Sequence, residues 1–242
     1  PEAGGEEILA EFGWKGEGDG QTTWPAGVAI DSAENVYVSD DWLNRISVFD
    51  TQGNFQFKFG TVGSGDGELN RPSGMVFDSQ DNLYVVDHRN HRIQLFTKNG
   101  QLICSFGSRG QADGEFESPW GVTVDKDGDV YVADWRNARI QKFSSQGEFL
   151  AVYGKAGDCD GELHRPSSVA VDNEGYIYVA DWGNERIQVL DKSGRFVAKY
   201  RGEATHSKWA EDFLNVNVEE ATARASSDLE PDIEFFDGTP YE

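Results

Sequence analysis

Histidine, cysteine and methionine are scarce in this chain, with 4, 2 and 1 copies in 242 residues, and the scarcity closes off whole classes of structure. Two cysteines, Cys104 and Cys159, cannot build a disulfide framework, and their spacing is not that of metal-ligand pairs. They fix no compartment. No apolar run approaches the ~20 residues that cross a bilayer as a helix, and no basic-then-apolar leader precedes Pro1. The chain therefore reads as soluble, with no transmembrane segment. Opening on proline rather than methionine fits a trimmed chain or a mature product, and the second would imply export to the periplasm or outside the cell. Positive charge is also short: 21 Lys and Arg stand against 43 Asp and Glu, a net charge of −22. Such a surface repels phosphate backbones and disfavours nucleic acid as a partner. Residues 203–242 hold 11 of the acids and 2 of the bases, and the remainder is acidic too.

What the chain does have is glycine, 28 residues of it, with 38% apolar residues, a composition suited to strands and turns around a real core. Set against itself, the sequence matches at an offset of 47. Pro25, Pro72, Pro119 and Pro166 keep this register, followed by the hairpin acids Asp31, Asp78, Asp125 and Asp172, then Tyr37, Tyr84, Tyr131 and Tyr178. Asp40, Asp87, Asp134 and Asp181 come next, then Arg45, Arg92, Arg139 and Arg186, each followed by isoleucine. Gly53, Gly100, Gly147 and Gly194 mark a turn, and Phe59, Phe106, Tyr153 and Tyr200 end the unit. A repeat of this length falls in the range of propeller blades.

Within each unit four short runs rich in Val, Ile, Tyr and Phe are separated by Gly, Asp and Asn turns. In the third unit they are Gly121–Asp125, Val130–Ala133, Ile140–Phe143 and Phe149–Tyr153, each too short for a helix. The expected fold is all-β, a β-propeller of four-stranded blades at about 25–60, 72–107, 119–154 and 166–201. Residues 8–13 align with the end of an outer strand, Phe12-Gly13 matching Phe59-Gly60. Such an orphan strand serves to complete a last blade and clasp a ring shut. After Arg201 the register fails, since the next blade-opening proline falls on Phe213 and the next hairpin acid on Glu219. A capping-box pattern at Asn217-Val218-Glu219-Glu220 and the i, i+4 pair Trp209 and Phe213 predict short helices within 207–226, in a 203–242 segment that is otherwise acidic loop. Four blades and one orphan strand do not close a regular ring. Missing blades of a six-bladed ring are the preferred explanation, ahead of a degenerate fifth blade or completion by other chains.

The unit Pro-x-Gly-Val-x-x-Asp, Tyr-Val-x-Asp, x-x-Asn-x-Arg-Ile-Gln and a closing Phe-Gly resembles the NHL repeat. Unit three spells it as Pro119-Trp120-Gly121-Val122, Tyr131-Val132-Ala133-Asp134 and Asn137-Ala138-Arg139-Ile140-Gln141. Departures are Ser168 for the glycine of the other units and Leu43 for their asparagine. The resemblance implies a propeller used for protein or RNA contacts, with a minority of relatives acting as lyases or lactone hydrolases. The zinc lyases that resemble this family carry histidines just after the blade-opening proline, where this chain has Ala26, Ser73, Trp120 and Ser167.

Residues recurring in every unit read as architecture, because one ligand on a ring needs only some blades. The repeated Asp and Arg sets are therefore expected to bond each blade's loops. Asp125-Lys126-Asp127-Gly128-Asp129 has the alternating carboxylates of a calcium loop but no bidentate Glu at the required spacing, and reads as a hairpin turn. No cofactor is expected. His88, His91 and His164 come from different loops and read as surface residues rather than as a metal site. Cys104 aligns with Phe57, Ala151 and Ala198 and reads as a buried small side chain, Cys159 as an exposed thiol. Whether the two cysteines pair stays open.

Function is then sought where the repeat breaks symmetry, on the face bearing the loops between strands two and three and between blades. There the residue after the recurrent Asp is Asp41, His88, Trp135 or Trp182, and the next is Trp42, Arg89, Arg136 or Gly183. At the blade entrance stand Trp24, Arg71, Ser118 and Arg165, with Trp120 one proline further on. Trp and Arg dominate the energetics of interfaces. Trp42, Arg71, His88, Arg89, Trp120, Trp135, Arg136, Arg165 and Trp182 are accordingly the candidate binding rim, on a non-catalytic scaffold that recognises a protein partner or joins a larger assembly. The alternatives are that these tryptophans only pack on neighbouring blades, or that the chain is a propeller enzyme of the lyase or lactonase type with a divalent metal at the channel mouth.

Overall fold

Alternating β-branched and aromatic residues between glycine and aspartate turns favour short pleated strands, and the computed structural model shows sixteen of them among the described residues, 12–201. Blade one comprises β1 (Pro25–Ile30), β2 (Val36–Asp40), β3 (Arg45–Phe49) and β4 (Phe55–Phe59). Blade two comprises β5 (Pro72–Phe77), β6 (Asn82–Asp87), β7 (Arg92–Thr97) and β8 (Leu102–Phe106), and blade three β9 (Pro119–Val124), β10 (Val130–Asp134), β11 (Arg139–Phe143) and β12 (Phe149–Tyr153). Blade four comprises β13 (Pro166–Val171), β14 (Ile177–Asp181), β15 (Arg186–Leu190) and β16 (Phe196–Tyr200). Each blade is one antiparallel sheet in sequential order. The expected outer strand 8–13, apart from Phe12 and Gly13, and the helices within 207–226 lie outside the described residues.

Burial follows position in the sheet. The middle strands are covered on both faces, β3 and β10 along their whole length, whereas the outer strands β4 and β8 alternate half-buried and exposed residues. Three apolar clusters fill the spaces between blades. Tyr37, Ile46 and Val48 of blade one pack with Met75, Leu83 and Phe96 of blade two, and the same kind of cluster joins blades two to three and three to four.

Each blade is locked by one buried carboxylate. Asp87 is fully buried and accepts from Asn70 N at 2.7 Å, Asn90 Nδ2 at 2.9 Å, Arg92 Nε at 2.7 Å and Gln94 Nε2 at 3.1 Å. Asp134 takes the same four donors from Glu117, Asn137, Arg139 and Gln141, and Asp181 from His164, Asn184, Arg186 and Gln188. A buried carboxylate is tolerated only when it is paired and its lone pairs are filled, and here the partners come from the entry loop, the 3-10 turn and the third strand. The guanidinium extends the lock: Arg92 Nη2 donates to the carbonyls of Gly65 and Glu68. The entry loop is closed by a further recurrent acid, Glu68, Glu115 or Glu162, which accepts from the backbone N–H three residues earlier.

Blade one departs from this scheme for a visible reason. Leu43 and Ser47 stand where the other blades have Asn and Gln. Asp40 turns instead to the backbone N–H groups of Thr23, Trp24, Trp42 and Leu43, while Arg45 Nε and Ser47 Oγ are buried without hydrogen-bond partners.

Blades touch through their inner strands and through a ring-on-glycine contact. A Cβ on Gly27 would lie 2.4 Å from Ser73 O, one on Gly74 2.7 Å from Trp120 O, and one on Gly121 2.8 Å from Ser167 O, so glycine is needed for the innermost strands to meet backbone to backbone. Farther out, Gly100 at φ +79° is covered by Phe59 of the preceding blade, Gly147 by Phe106 and Gly194 by Tyr153. Gly53 is covered in the same way by Phe12, whose ring lies 5.0 Å from that of Phe49. Phe12 thus makes the glycine contact that Phe59, Phe106 and Tyr153 make in the other blades, in the register the repeat assigns it. At the two ends of the four-blade array, faces buried elsewhere are open among the described residues: Ile187 is 47% exposed where Ile46, Ile93 and Ile140 are 0% exposed.

Two measurements check this account. Gly74→Val should cost about 1–3 kcal/mol in chemical denaturation, the range for forcing new bulk into a packed contact. Restoring the blade-one lock with Leu43→Asn and Ser47→Gln should instead raise the unfolding free energy by about 1–2 kcal/mol, because the orphaned Arg45 Nε regains a carboxylate partner and the orphaned Ser47 hydroxyl is replaced by an amide of the kind bonded in the other blades.

Candidate functional site

Two loops per blade reach one face of the array, and backbone hydrogen bonds hold them side by side. Asp41 N donates to Trp24 O at 2.9 Å, Arg89 N to Asn70 O at 3.0 Å, Arg136 N to Glu117 O at 3.0 Å and Gly183 N to His164 O at 2.8 Å. The entrance residues Arg71, Ser118 and Arg165 sit in the left-handed region at φ 53–56°, directly before the blade-opening prolines. Arg71 N is held by Asn44 Oδ1 at 2.8 Å and Ser118 N by His91 Nδ1 at 3.0 Å, contacts that cross from one blade to the next. The scaffold fixes these backbones and leaves their side chains to vary.

Those side chains form two groups. Trp24 and Trp42, both exposed, meet edge to face at 5.4 Å on blade one. On the other three blades a continuous aromatic ladder runs from His88 to Trp120 at 4.9 Å, to Trp135 at 5.4 Å and to Trp182 at 5.1 Å. His88 is its anchored end. Its ring is buried and Nδ1 donates to Pro119 O at 2.9 Å, which leaves it a wedge that positions Trp120 rather than an open contact. Trp120 and Trp135 are half-buried and Trp182 is 42% exposed.

Arg71 and Arg89 lie near His88, the anchored end of the ladder. Arg71 Nε is 3.6 Å from Asp41 Oδ1, beyond hydrogen-bonding range, and that oxygen is buried without a hydrogen-bond partner. Burial pushes the Asp41 carboxyl above its ordinary range, with Arg71 and Arg89 pulling it back. Arg89 is lowered by burial and by the like charges of Arg71 and Arg136, with Asp41 opposing. The guanidiniums of Arg71, Arg89 and Arg136 thus share one neighbourhood with the Asp41 carboxylate. Arg136 is exposed and has no ion-pair partner among the described residues. Of the nine rim residues, the structure joins His88, Trp120, Trp135 and Trp182 in the ladder and Arg71, Arg89 and Arg136 in the basic group. Trp42 lies in the separate pair, and Arg165 stands half-buried at the blade-four entrance.

The other chemistry-bearing residues take up structural places. Asp125 Oδ1 accepts from Asp127 N and Asp129 N, and the Lys142 ammonium reaches Asp129 at 2.7 Å and Asp125 at 3.6 Å. His88, His91 and His164 do not converge; the one group of three possible metal ligands among the described residues is Asp158, Cys159 and Glu162 in an exposed entry loop. Glu162 is already engaged there by Cys159 N and Lys155. Both cysteines are free thiols, Cys104 half-buried and Cys159 exposed. Sequence reading missed Asp41 as the counter-charge of the arginines and the entry-loop acids Glu68, Glu115 and Glu162, although the offset of 47 contains the latter.

The model of the NHL repeat matches residues 69–96, 116–143 and 163–190. The chain carries NHL repeats. The matches cover the entry loop and first three strands of blades two to four, and blade one, with Leu43 and Ser47 in its lock, is outside them. Similar solved structures are propeller-like at low identity. A streptogramin B lyase aligns at 17% identity over 81% of this chain and 59% of its own, TM-score 0.60. Virginiamycin B lyase from Staphylococcus aureus aligns at 16% identity over 76% of this chain and 58% of its own, TM-score 0.59. A chain in the nidogen/laminin complex aligns at 21% identity over 73% of this chain and 63% of its own, TM-score 0.57. The chain therefore spans under two thirds of the length of each. No curated protein is significantly similar to it in sequence.

The buried ladder anchor has a pH signature. Burial, together with Arg89, His91 and Arg71, holds His88 down at about 4, against an ordinary value of 6.5, while its bond to Pro119 O acts the other way. A histidine lowered by folding takes up its proton earlier in the unfolded chain, so its contribution is complete above pH ~6.5 and is lost as pH falls toward ~4. Denaturation at several pH values should show stability falling across that window, by on the order of 3 kcal/mol from this group. His88→Asn, which keeps a donor near Nδ1, should flatten that part of the slope; an unchanged slope would contradict the assignment.

Proposed function

We propose that this chain is a non-catalytic protein-recognition module that engages its partner through the loop face. The observation that carries the reading is the aromatic ladder. Its members stand at symmetry-breaking positions of blades two, three and four, so they are not needed to make a blade, yet the structure sets them ring against ring on one surface. Indoles that are partly covered by one another and partly open give large contact area at little conformational cost, which is the character of interface hot spots. The neighbouring surface supplies guanidiniums, suited to orienting a partner rather than to acid–base chemistry. A similar fold in the nidogen/laminin complex lends the reading a precedent in protein assembly, while the likeness to the lyases extends to fold alone.

The test is a contact map. Photo-crosslinking residues placed singly at Arg136, Trp182 and, on the opposite turns, Gln146 should yield crosslinks to a common partner polypeptide from the first two positions and none from the third. Crosslinks concentrated at position 146 would place recognition on the other face and overturn the proposal.

A further inference from the structure

The two ends of the blade array are open in complementary ways. Strand register puts Ala170, Tyr178, Ile187 and Tyr200 of blade four on one face of its sheet. On blades one to three the matching tyrosines Tyr37, Tyr84 and Tyr131 and the matching isoleucines are buried in clusters shared with the following blade, whereas Tyr178, Ile187 and Tyr200 are exposed. At the other end Val28 is 61% and Ile30 58% exposed, on the first strand of blade one. Their counterparts Met75, Val122 and Val169 are buried, and Phe77, Val124 and Val171 half-buried, in the same clusters against the preceding blade. The face that blade four leaves open is therefore of the kind that blade one's open face covers wherever the repeat continues.

We propose that a second copy of this chain covers blade four, its Val28 and Ile30 lying on Tyr178 and Ile187, and that two copies joined head to tail close a ring. Both halves of the contact are present in one chain. A head-to-tail contact either closes or runs on as a filament; two copies of four blades make eight, within the usual propeller range of about 4–8, whereas a third copy exceeds it. The rims of the two open faces also depart from the repeat in a way that suits a contact between chains rather than a fifth blade of the same series. Internal interfaces need Gly27, Gly74 and Gly121, where an added Cβ would lie 2.4–2.8 Å from the next blade's carbonyl oxygen. Blade four has Ser168 there, which bars that closest approach of inner strands. Its hydroxyl can instead donate to the facing carbonyl, as Ser39 does to Ser73 O at 2.7 Å and Ser73 to Trp120 O at 2.8 Å between blades. At the outer rim Gly53 is already covered by Phe12, so Tyr200 finds no glycine to cover on blade one of the second copy. Each dimer makes two such contacts at once, and the second, being intramolecular, adds to the first without a further cost of association.

The test uses the whole chain, by sedimentation velocity and native mass spectrometry. The parent should form a dimer at micromolar concentration and no longer species as concentration rises. Ile187→Lys sets an ammonium against the second copy's Val28, and Val28→Glu a carboxylate against its Ile187. Each variant alone should weaken dimerisation about a hundredfold or more, because an unpaired charge enters an apolar contact twice per dimer. Both positions are exposed in the single chain, so each variant should keep the denaturation midpoint of the monomeric parent. Mixed one to one, the variants should recover a heterodimer, with the introduced ammonium facing the introduced carboxylate in one contact and the other contact unaltered. A parent that stays monomeric throughout the micromolar range, as when further blades of a longer chain cover blade four, would overturn the proposal. So would a dimer that neither variant weakens, or a mixture that fails to re-form it, since pairing through any other face would not be restored by this combination.

Discussion

A single buried carboxylate per blade is the constraint on which the rest of this structure depends. Asp87, Asp134 and Asp181 lie where the second strand ends, each facing the arginine that opens the third strand across the hairpin. An ionised carboxylate in that position would be prohibitively costly alone. Its requirement for four donors draws in the entry loop, the 3-10 turn and the third strand, and the guanidinium then reaches back to the carbonyls of the same entry loop. Loops that would otherwise be the loosest part of a blade become as fixed as its strands. That rigidity makes the loop face a surface of defined shape on which side chains can be exchanged without disturbing the fold.

The division of labour between symmetric and asymmetric positions follows from this. The Asp, Arg, Asn and Gln of the lock, the glycine at which inner strands meet and the aromatic ring on the next blade's glycine recur because every blade must solve the same packing problem. Blade one shows how much variation is tolerated: with Leu43 and Ser47 in its lock it still forms, with Asp40 served by backbone N–H groups and two polar atoms left unsatisfied. The residues immediately after each Asp have no such duty. There the chain places His88, the tryptophans Trp42, Trp135 and Trp182, and the arginines Arg89 and Arg136 that give the loop face its character.

The legible part of the sequence was the part under repeated constraint. Strand positions in blade three were read to within two residues, since each strand is bounded by turn residues whose roles are local, and the recurrent Asp and Arg declared themselves by an offset of 47. The same logic identified the loop-face positions as a set. It could not say which of them meet. The contact of Trp120 with His88 depends on the rotation between blades two and three, and the burial of His88 against Pro119 O depends on how closely the inner strands approach. Lys142, in line with Val48, Leu95 and Val189, puts a charge in a middle strand, and the structure sets its ammonium between Asp125 and Asp129 and over the Tyr131 ring. The ladder contacts are set between blades, where partners come from different repeats.

The central claim is that lock residues make the fold and loop-face residues make the contact, and unfolding free energies test it most directly. Measured by chemical denaturation, a Trp182→Ala/Arg136→Ala double variant should lie within about 1 kcal/mol of the parent, as surface substitutions do, while Asp134→Ala should lose about 3 kcal/mol or more through an unpaired buried guanidinium and orphaned donors. If the double variant instead loses as much as Asp134→Ala, the end of the ladder is part of the packing that holds blades together, and the account of the loop face as a recognition surface is wrong.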